Sequence, residues 1–258
     1  MNITNLELTQ ATIEIFCGFI SLMLAVIILM NGHERNSWRL LKWMFFSIAL
    51  IFFSEAAAYI YRGNTDEFSR LITGIANFVV FFLNLVLIRL FMSCMYELLK
   101  EKDVTPGKWY SRIVNACIAL SLIILITNLL TKWMYYFDDA NYYHRNTGWY
   151  VYTIINGVCI LTAGVMCIRY RRSVKKTMFA ALLLYVIEPL IAIVVQTFIY
   201  GISITNLGIA IALSFMLLAY LLEWSKTKET RQRRALDMVI LFVIMTICMS
   251  AAIFSCIY

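Results

Sequence analysis

Eight apolar runs of about 20 residues each, bounded by charged, glycine, asparagine or aromatic residues, constrain this chain more than any other feature. A run of that length spans the apolar core of a bilayer as a helix, at about 1.5 Å per residue. The runs lack the two-residue alternation of barrel strands, so we expect an all-α, polytopic integral membrane helical bundle. The runs are Ala11–Met30, Met44–Tyr61, Leu71–Leu99, Ile113–Phe137, Trp149–Ile168, Met178–Tyr200, Ile204–Leu222 and Met238–Tyr258.

The composition argues against a soluble protein and against catalysis. Hydrophobic residues make up 62% of the chain and charged residues 14%, and no polar stretch is long enough for a soluble catalytic domain. All seven cysteines lie in the apolar runs, and the two histidines, His33 and His144, lie in loops expected on opposite sides of the membrane. No Ser/Lys or His/Asp pair of the kind used in catalysis lies at a common depth in the predicted membrane spans. We therefore expect no enzyme activity, no disulfide framework, no metal site and no cofactor.

The distribution of lysine and arginine predicts the orientation. With the N-terminus outside, seventeen of these residues fall in inner loops and four in outer loops. Positively charged loops stay on the cytoplasmic side, so the sequence predicts a multi-pass protein of the cell (plasma) membrane with its N-terminus outside. We interpret the net charge of +7 as attraction of the inner loops to anionic lipids of the inner leaflet. We expect no nucleic-acid partner.

Polar residues inside the runs are the candidate ligand-binding residues. Glu55 and Glu188 lie about 15 Å from the predicted inner ends of their helices, and Pro189 kinks the helix beside Glu188. Two interpretations stay open: an outward-facing ligand cavity, or hydrogen bonds between helices. The candidates are Glu188, Glu55, Asn77, Asn84, Asn128, Asn156, Gln196 and Asn206.

Several stretches of the chain resemble a known family. They are LYVIEPLIA at 184–192, YGISITNLGI at 200–209, ANFVVFFLN at 76–84, and Tyr142-Tyr143 ahead of Gly148-Trp149-Tyr150. Over residues 10–224 the chain resembles the seven-helix membrane sensor module found N-terminal to bacterial histidine kinases and diguanylate cyclases. The resemblance implies an N-out bundle that passes a small-molecule or membrane signal to a cytoplasmic or fused signalling enzyme. It assigns no ligand and no site residue.

The chain departs from that family in two ways. It carries no output domain, and an eighth run follows a basic linker. We expect a sensor-like bundle at 1–224, a cytoplasmic linker at 225–237 and an eighth transmembrane helix at 238–258, in a homodimer. The predicted function is a membrane-embedded sensory, signal-transduction module. The alternative is a small multi-pass transporter or permease that uses Glu55 and Glu188 to carry protons or cations.

Overall fold

A computed structural model describes residues 5–30, 35–198 and 204–224 of the chain. Seven helices make up most of this part, and each is long and apolar enough to cross a membrane. The prediction of an all-helical bundle is confirmed for these residues, with seven helices that have the length and composition of membrane spans. The helices are α1 (Asn5–Met30), α2 (Asn36–Tyr61), α3 (Glu67–Lys100), α4 (Lys108–Thr131), α5 (Thr147–Arg169), α6 (Lys176–Phe198) and α7 (Ile204–Trp224).

Three predicted boundaries differ from the observed ones by six residues or more. The first helix begins at Asn5, six residues before the predicted Ala11. The second helix begins at Asn36, two turns before the predicted Met44, because its first turns carry the charges Arg39 and Lys42 that ended the apolar run. The fourth predicted run continued to Phe137, whereas α4 ends at Thr131. The eighth run and the linker before it lie outside the described residues.

A short hairpin takes up the segment that the sequence assigned to the end of the fourth span. Lys132 adopts a left-handed backbone conformation with φ of 53°, which ends α4 and turns the chain. Strands β1 (Tyr135–Phe137) and β2 (Tyr143–Arg145) then pair in antiparallel register. The loop before α5 is therefore a folded structure of its own.

Five helices form a ring. Each helix contacts the next one along the chain; in addition α7 contacts α2, and α3 contacts α5. The ring is α2, α3, α5, α6 and α7, with α1 against α2 and α4 against α3 and α5. Successive helices alternate in direction, so the β1–β2 hairpin and the α2–α3 turn share one end, here called the hairpin end. The other, here called the basic end, carries twelve of the described lysines and arginines.

At the basic end, a small polar cluster joins α2, α3 and α7. The Cys94 Sγ lies 3.5 Å from the Tyr220 hydroxyl and donates to the Ser37 carbonyl. The Ser37 hydroxyl donates to a carboxylate oxygen of Glu101 at 2.6 Å, and the Trp38 ring lies 5.4 Å from the Tyr220 ring. These contacts couple the end of α7 to two other helices of the ring.

Candidate ligand cavity

The five-helix ring encloses a cavity of about 280 Å³ that extends inward from the hairpin end. Its wall combines amides, ionisable groups and aromatic rings. At its inner limit the lining is apolar, and Tyr185 stacks on Phe91 with ring centroids 4.0 Å apart. On the basic-end side of this pair many core side chains are buried, among them Met92, Met95 and Met216. The hairpin residues Tyr143 and Arg145 line the opposite limit of the cavity.

Five of the eight predicted ligand-binding residues line this cavity. They are Glu55, Asn77, Asn84, Asn156 and Asn206. They come from α2, α3, α5 and α7, so only the closure of the ring brings them together. The observed start of α2 also changes the depth of Glu55, which lies six residues, or about 9 Å, from the last residue of that helix. Glu55 is thus nearer the hairpin end than the midplane position that the sequence predicted.

Glu188 lies beside the cavity and does not line it. Its neighbour Pro189 does line it, whereas the Glu188 side chain packs against α7. A Cβ atom added to Gly208 would lie only 1.8 Å from the Glu188 Oε1, so the missing side chain of this glycine makes room for the carboxyl group. The Glu188 Oε2 is buried without a hydrogen-bond partner in the described part of the chain. Glu188 is therefore a contact between α6 and α7.

Asn128 and Gln196 are the other two predicted residues. The Asn128 Oδ1 accepts hydrogen bonds from the backbone amides of Met134 at 2.6 Å and Tyr135 at 3.1 Å. Asn128 thus holds the start of the hairpin and is not part of the cavity wall. Gln196 belongs to α6 by its backbone, and its side chain lies outside the described part of the structure.

Glu14 is a buried carboxyl that the sequence analysis missed. It lies on α1, is 3% exposed, and shares a side-chain hydrogen bond with Glu55. A hydrogen bond between two carboxyl groups requires a proton on one of them. The position inside the run Ala11–Met30 was a usable signal, because an ionisable residue in an apolar span is rare and costly.

The β1–β2 hairpin forms the mouth of the cavity. Asn141 Nδ2 donates to the carbonyl of Tyr61 and to the hydroxyl of Thr73, which ties the hairpin to α2 and α3. The hairpin contributes Tyr143 and Arg145 to the cavity wall. The sequence indicated an aromatic outer loop, but only the pairing of the strands aims these side chains at the cavity.

Polar contacts stabilise the turn of this hairpin. The Tyr142 backbone amide donates to Asp138 at 2.8 Å, and the His144 ring lies 2.9 Å from the same carboxylate. These two hydrogen bonds hold the pKa of Asp138 below its usual value, and the bond from the Tyr142 backbone amide has the larger effect. The aspartate therefore favours its charged form at the turn.

Comparisons with family models, curated proteins and solved structures gave no match to the chain. Among residues 5–30, 35–198 and 204–224, no group of three or more His, Cys, Asp or Glu residues could hold a metal ion.

Proposed function

We propose that the chain is a membrane-embedded sensor of the plasma membrane, not an enzyme, and that it binds a small molecule in the cavity of the five-helix ring. The observation that carries the proposal is the cavity itself, which is lined by residues of all five ring helices and lies between the hairpin and the Tyr185–Phe91 stack. A bound molecule there touches five helices at once. Such a site suits a receptor, since a ligand changes an equilibrium between two packings only by binding one of them better.

The signal travels along α6 and α7 in this proposal. Pro189 interrupts the backbone hydrogen bonding of α6 at the cavity wall. The residue before it, Glu188, contacts Gly208 of α7. At the other end of α7, Tyr220 contacts Cys94 and Trp38. A ligand that shifts α7 against α6 therefore changes the polar cluster at the basic end.

The orientation belongs to the same proposal. Twelve described lysines and arginines lie at the basic end and four at the hairpin end, which favours a cytoplasmic basic end and an external mouth. The N-terminus is then outside. A signalling enzyme in the cytoplasm meets the basic end, either fused to the chain or as a separate partner of a homodimer.

A transporter is the second candidate, because Glu14 and Glu55 form a hydrogen-bonded carboxyl pair next to the cavity. Buried carboxyl pairs can carry protons through a membrane. The packed core below the cavity favours the sensor. Reconstituted vesicles with a proton gradient separate the two candidates, since a transporter dissipates the gradient when its solute is supplied and a sensor does not.

The test of the sensor measures movement at the basic end. Nitroxide labels at Lys176 and Leu222 report the distance between α6 and α7 in nanodiscs. The background keeps the fully buried Cys94 of the polar cluster and replaces the other cysteines. Ala58→Phe fills the cavity, and Leu50→Phe adds the same ring on an exposed position of α2. We expect the distance distribution to shift with Ala58→Phe and not with Leu50→Phe.

Glu188→Ala supplies a second arm of this test. The substitution removes the side-chain atoms that contact Gly208, so we expect it to reduce the shift that Ala58→Phe causes. Identical distance distributions for the unsubstituted protein and for Ala58→Phe would contradict the proposed coupling. An unaltered shift in the presence of Glu188→Ala would show that the contact between Glu188 and Gly208 does not carry the coupling.

A further inference from the structure

Two asparagines of the cavity wall lie on one face of α3 in the same conformation. The Nδ2 atom of each donates to the backbone carbonyl four residues earlier, at 2.9 Å for Asn77 and 3.0 Å for Asn84. Seven residues make almost two full helical turns, so the two side chains point in the same direction, about 10.5 Å apart along the helix axis. Their carboxamide oxygens therefore repeat at about the same spacing.

The oxygen atoms of these two amides are the acceptors that the cavity offers to a ligand. A carbonyl only accepts hydrogen bonds, so the Nδ2 atom faces it and the Oδ1 atom of Asn77 or Asn84 points away from the backbone of α3. Neither oxygen accepts a hydrogen bond from a residue that the structure describes. Asn156 differs, because its Oδ1 atom accepts a hydrogen bond of 3.5 Å from the Ser121 hydroxyl.

The surface between the two amides is apolar and aromatic. Val80 and Phe81 lie between them on α3 and line the cavity. The ring of Tyr152 meets the Phe81 ring edge to face, with centroids 5.6 Å apart, and the cavity wall also includes Trp149 and Tyr185. Aromatic side chains offer flat apolar faces on which another ring packs favourably. Along α3 the wall thus presents an acceptor, an apolar surface and a second acceptor.

The acidic and basic side chains of the wall already interact with the protein. Glu55 shares a hydrogen bond with Glu14. Arg62 is paired with Glu7 at 3.9 Å, and the guanidinium of Arg145 lies over an aromatic ring of α5, 4.1 Å from its centroid. A charged ligand would exchange its hydration for a largely apolar wall whose charged groups have other partners, which is costly. The geometry therefore favours an uncharged ligand.

We propose that the ligand is an uncharged aromatic molecule with hydroxyl or N–H donors at opposite ends of a flat ring system. The donors bind the Oδ1 atoms of Asn77 and Asn84, and the ring packs on Phe81. The proposal depends on the proposed sensor function, because it names the ligand of the same cavity. With hydrogen bonds of about 2.8 Å, donors about 5–10 Å apart reach both oxygens. A cavity of about 280 Å³ suits a compound of two fused rings.

The test measures binding of 2,6-dihydroxynaphthalene to the full chain in nanodiscs, by isothermal titration calorimetry with empty nanodiscs as the blank. This diol is uncharged at neutral pH and has one hydroxyl at each end of its ring system. The analogues 6-methoxy-2-naphthol and 2,6-dimethoxynaphthalene lack one donor and both donors. We expect each lost donor to weaken binding about 5-fold to 50-fold, because it leaves an amide oxygen of the cavity without its partner. The anionic analogue 6-hydroxy-2-naphthoate should bind more weakly than the diol.

Substitutions assign the two donors to their acceptors. Asn77→Leu and Asn84→Leu each remove one acceptor and keep roughly the volume of the side chain. Each should weaken the diol about 5-fold to 50-fold. In each variant the monomethyl ether should bind at least as tightly as the diol, because one hydroxyl has already lost its acceptor. Asn115→Leu is the matched control, since Asn115 is exposed on α4 and does not line the cavity.

The dimethyl ether checks that the variants are folded, because it uses neither acceptor and should bind to them as it does to the unsubstituted protein. Four results would overturn the proposal. They are absence of binding by the diol, equal affinity for the diol and its dimethyl ether, undiminished binding of the diol in both asparagine variants, and tighter binding of the naphthoate than of the diol.

The outcome is separable from that of the proposed function. If the diol does not bind but Ala58→Phe still shifts the labels at the basic end, the sensor function stands and the ligand class is wrong. If the series binds with the expected pattern and Ala58→Phe causes no shift, the cavity binds this class of molecule without the proposed coupling.

Discussion

Replacement of Gly208 by alanine tests the contact between α6 and α7 most directly. In an isolated helix, replacement of glycine by alanine stabilises the helix by about 1 kcal/mol, because alanine has the higher helix propensity. Here the new Cβ would lie 1.8 Å from the Oε1 of Glu188, 2.0 Å from its Cδ and 2.4 Å from its Cγ. Ordinary contact begins at 3.4 Å, so the Glu188 side chain or the helix has to move by about 1.6 Å.

The expected cost is therefore that of an overpacked core. Such substitutions destabilise proteins by about 1–3 kcal/mol, which exceeds the gain in propensity. We expect Gly208→Ala to lower the free energy of unfolding in bicelles, measured by steric trapping. Gly157→Ala is the matched control, because nothing lies within 4 Å of a Cβ at that position of α5. It should be neutral or slightly stabilising.

A double-mutant cycle identifies the partner. Glu188→Ala removes the three atoms that a Cβ at Gly208 would meet, so in that background Gly208→Ala should behave as Gly157→Ala does. The coupling energy should be about 1 kcal/mol or more, as for residues in direct contact. If Gly208→Ala has the same cost with and without Glu188, the steric argument is refuted and the α6–α7 contact lies elsewhere.

Three further predictions concern orientation and the hairpin. A membrane-impermeant thiol reagent applied to intact cells should label Ala140→Cys and not Thr105→Cys, two positions whose side chains are exposed. The reverse labelling pattern would mean that the bundle has the opposite orientation in the membrane. Asn128→Ala leaves two amides of the hairpin without their acceptor and should lower the free energy of unfolding by about 1–3 kcal/mol, with exposed Asn115→Ala as control. The pKa of Asp138 is lowered, so its stabilisation of the hairpin is present at neutral pH and is lost as pH falls below the ordinary value of 3.8. The protection of the hairpin amides against hydrogen exchange, corrected for the intrinsic pH dependence of the exchange rate, should decrease there in the native protein and not in Asp138→Asn.

Some of the residues that line the cavity could be predicted from the sequence, but which amides face the cavity could not. An amide in an apolar span has to find a hydrogen-bond partner, so Asn77, Asn84 and Asn156 were recognisable as special from the sequence. Whether such an amide faces a cavity or a loop depends on what the neighbouring helices present to it. Asn128 resembles the other three in sequence, yet the turn at Lys132 brings backbone amides of the hairpin to its oxygen.

The sequence by itself determined the helical class, seven of the spans and the uneven charge of the two ends. The physical reason is that a bilayer excludes unpaired backbone groups and charges, and both constraints act on each segment separately. Only the tertiary structure decided that α2, α3, α5, α6 and α7 close into a ring, that Glu14 bonds to Glu55, and that Glu188 packs on Gly208. These contacts join residues far apart in the chain, and between apolar helices they depend on side-chain shape, which no local pattern encodes.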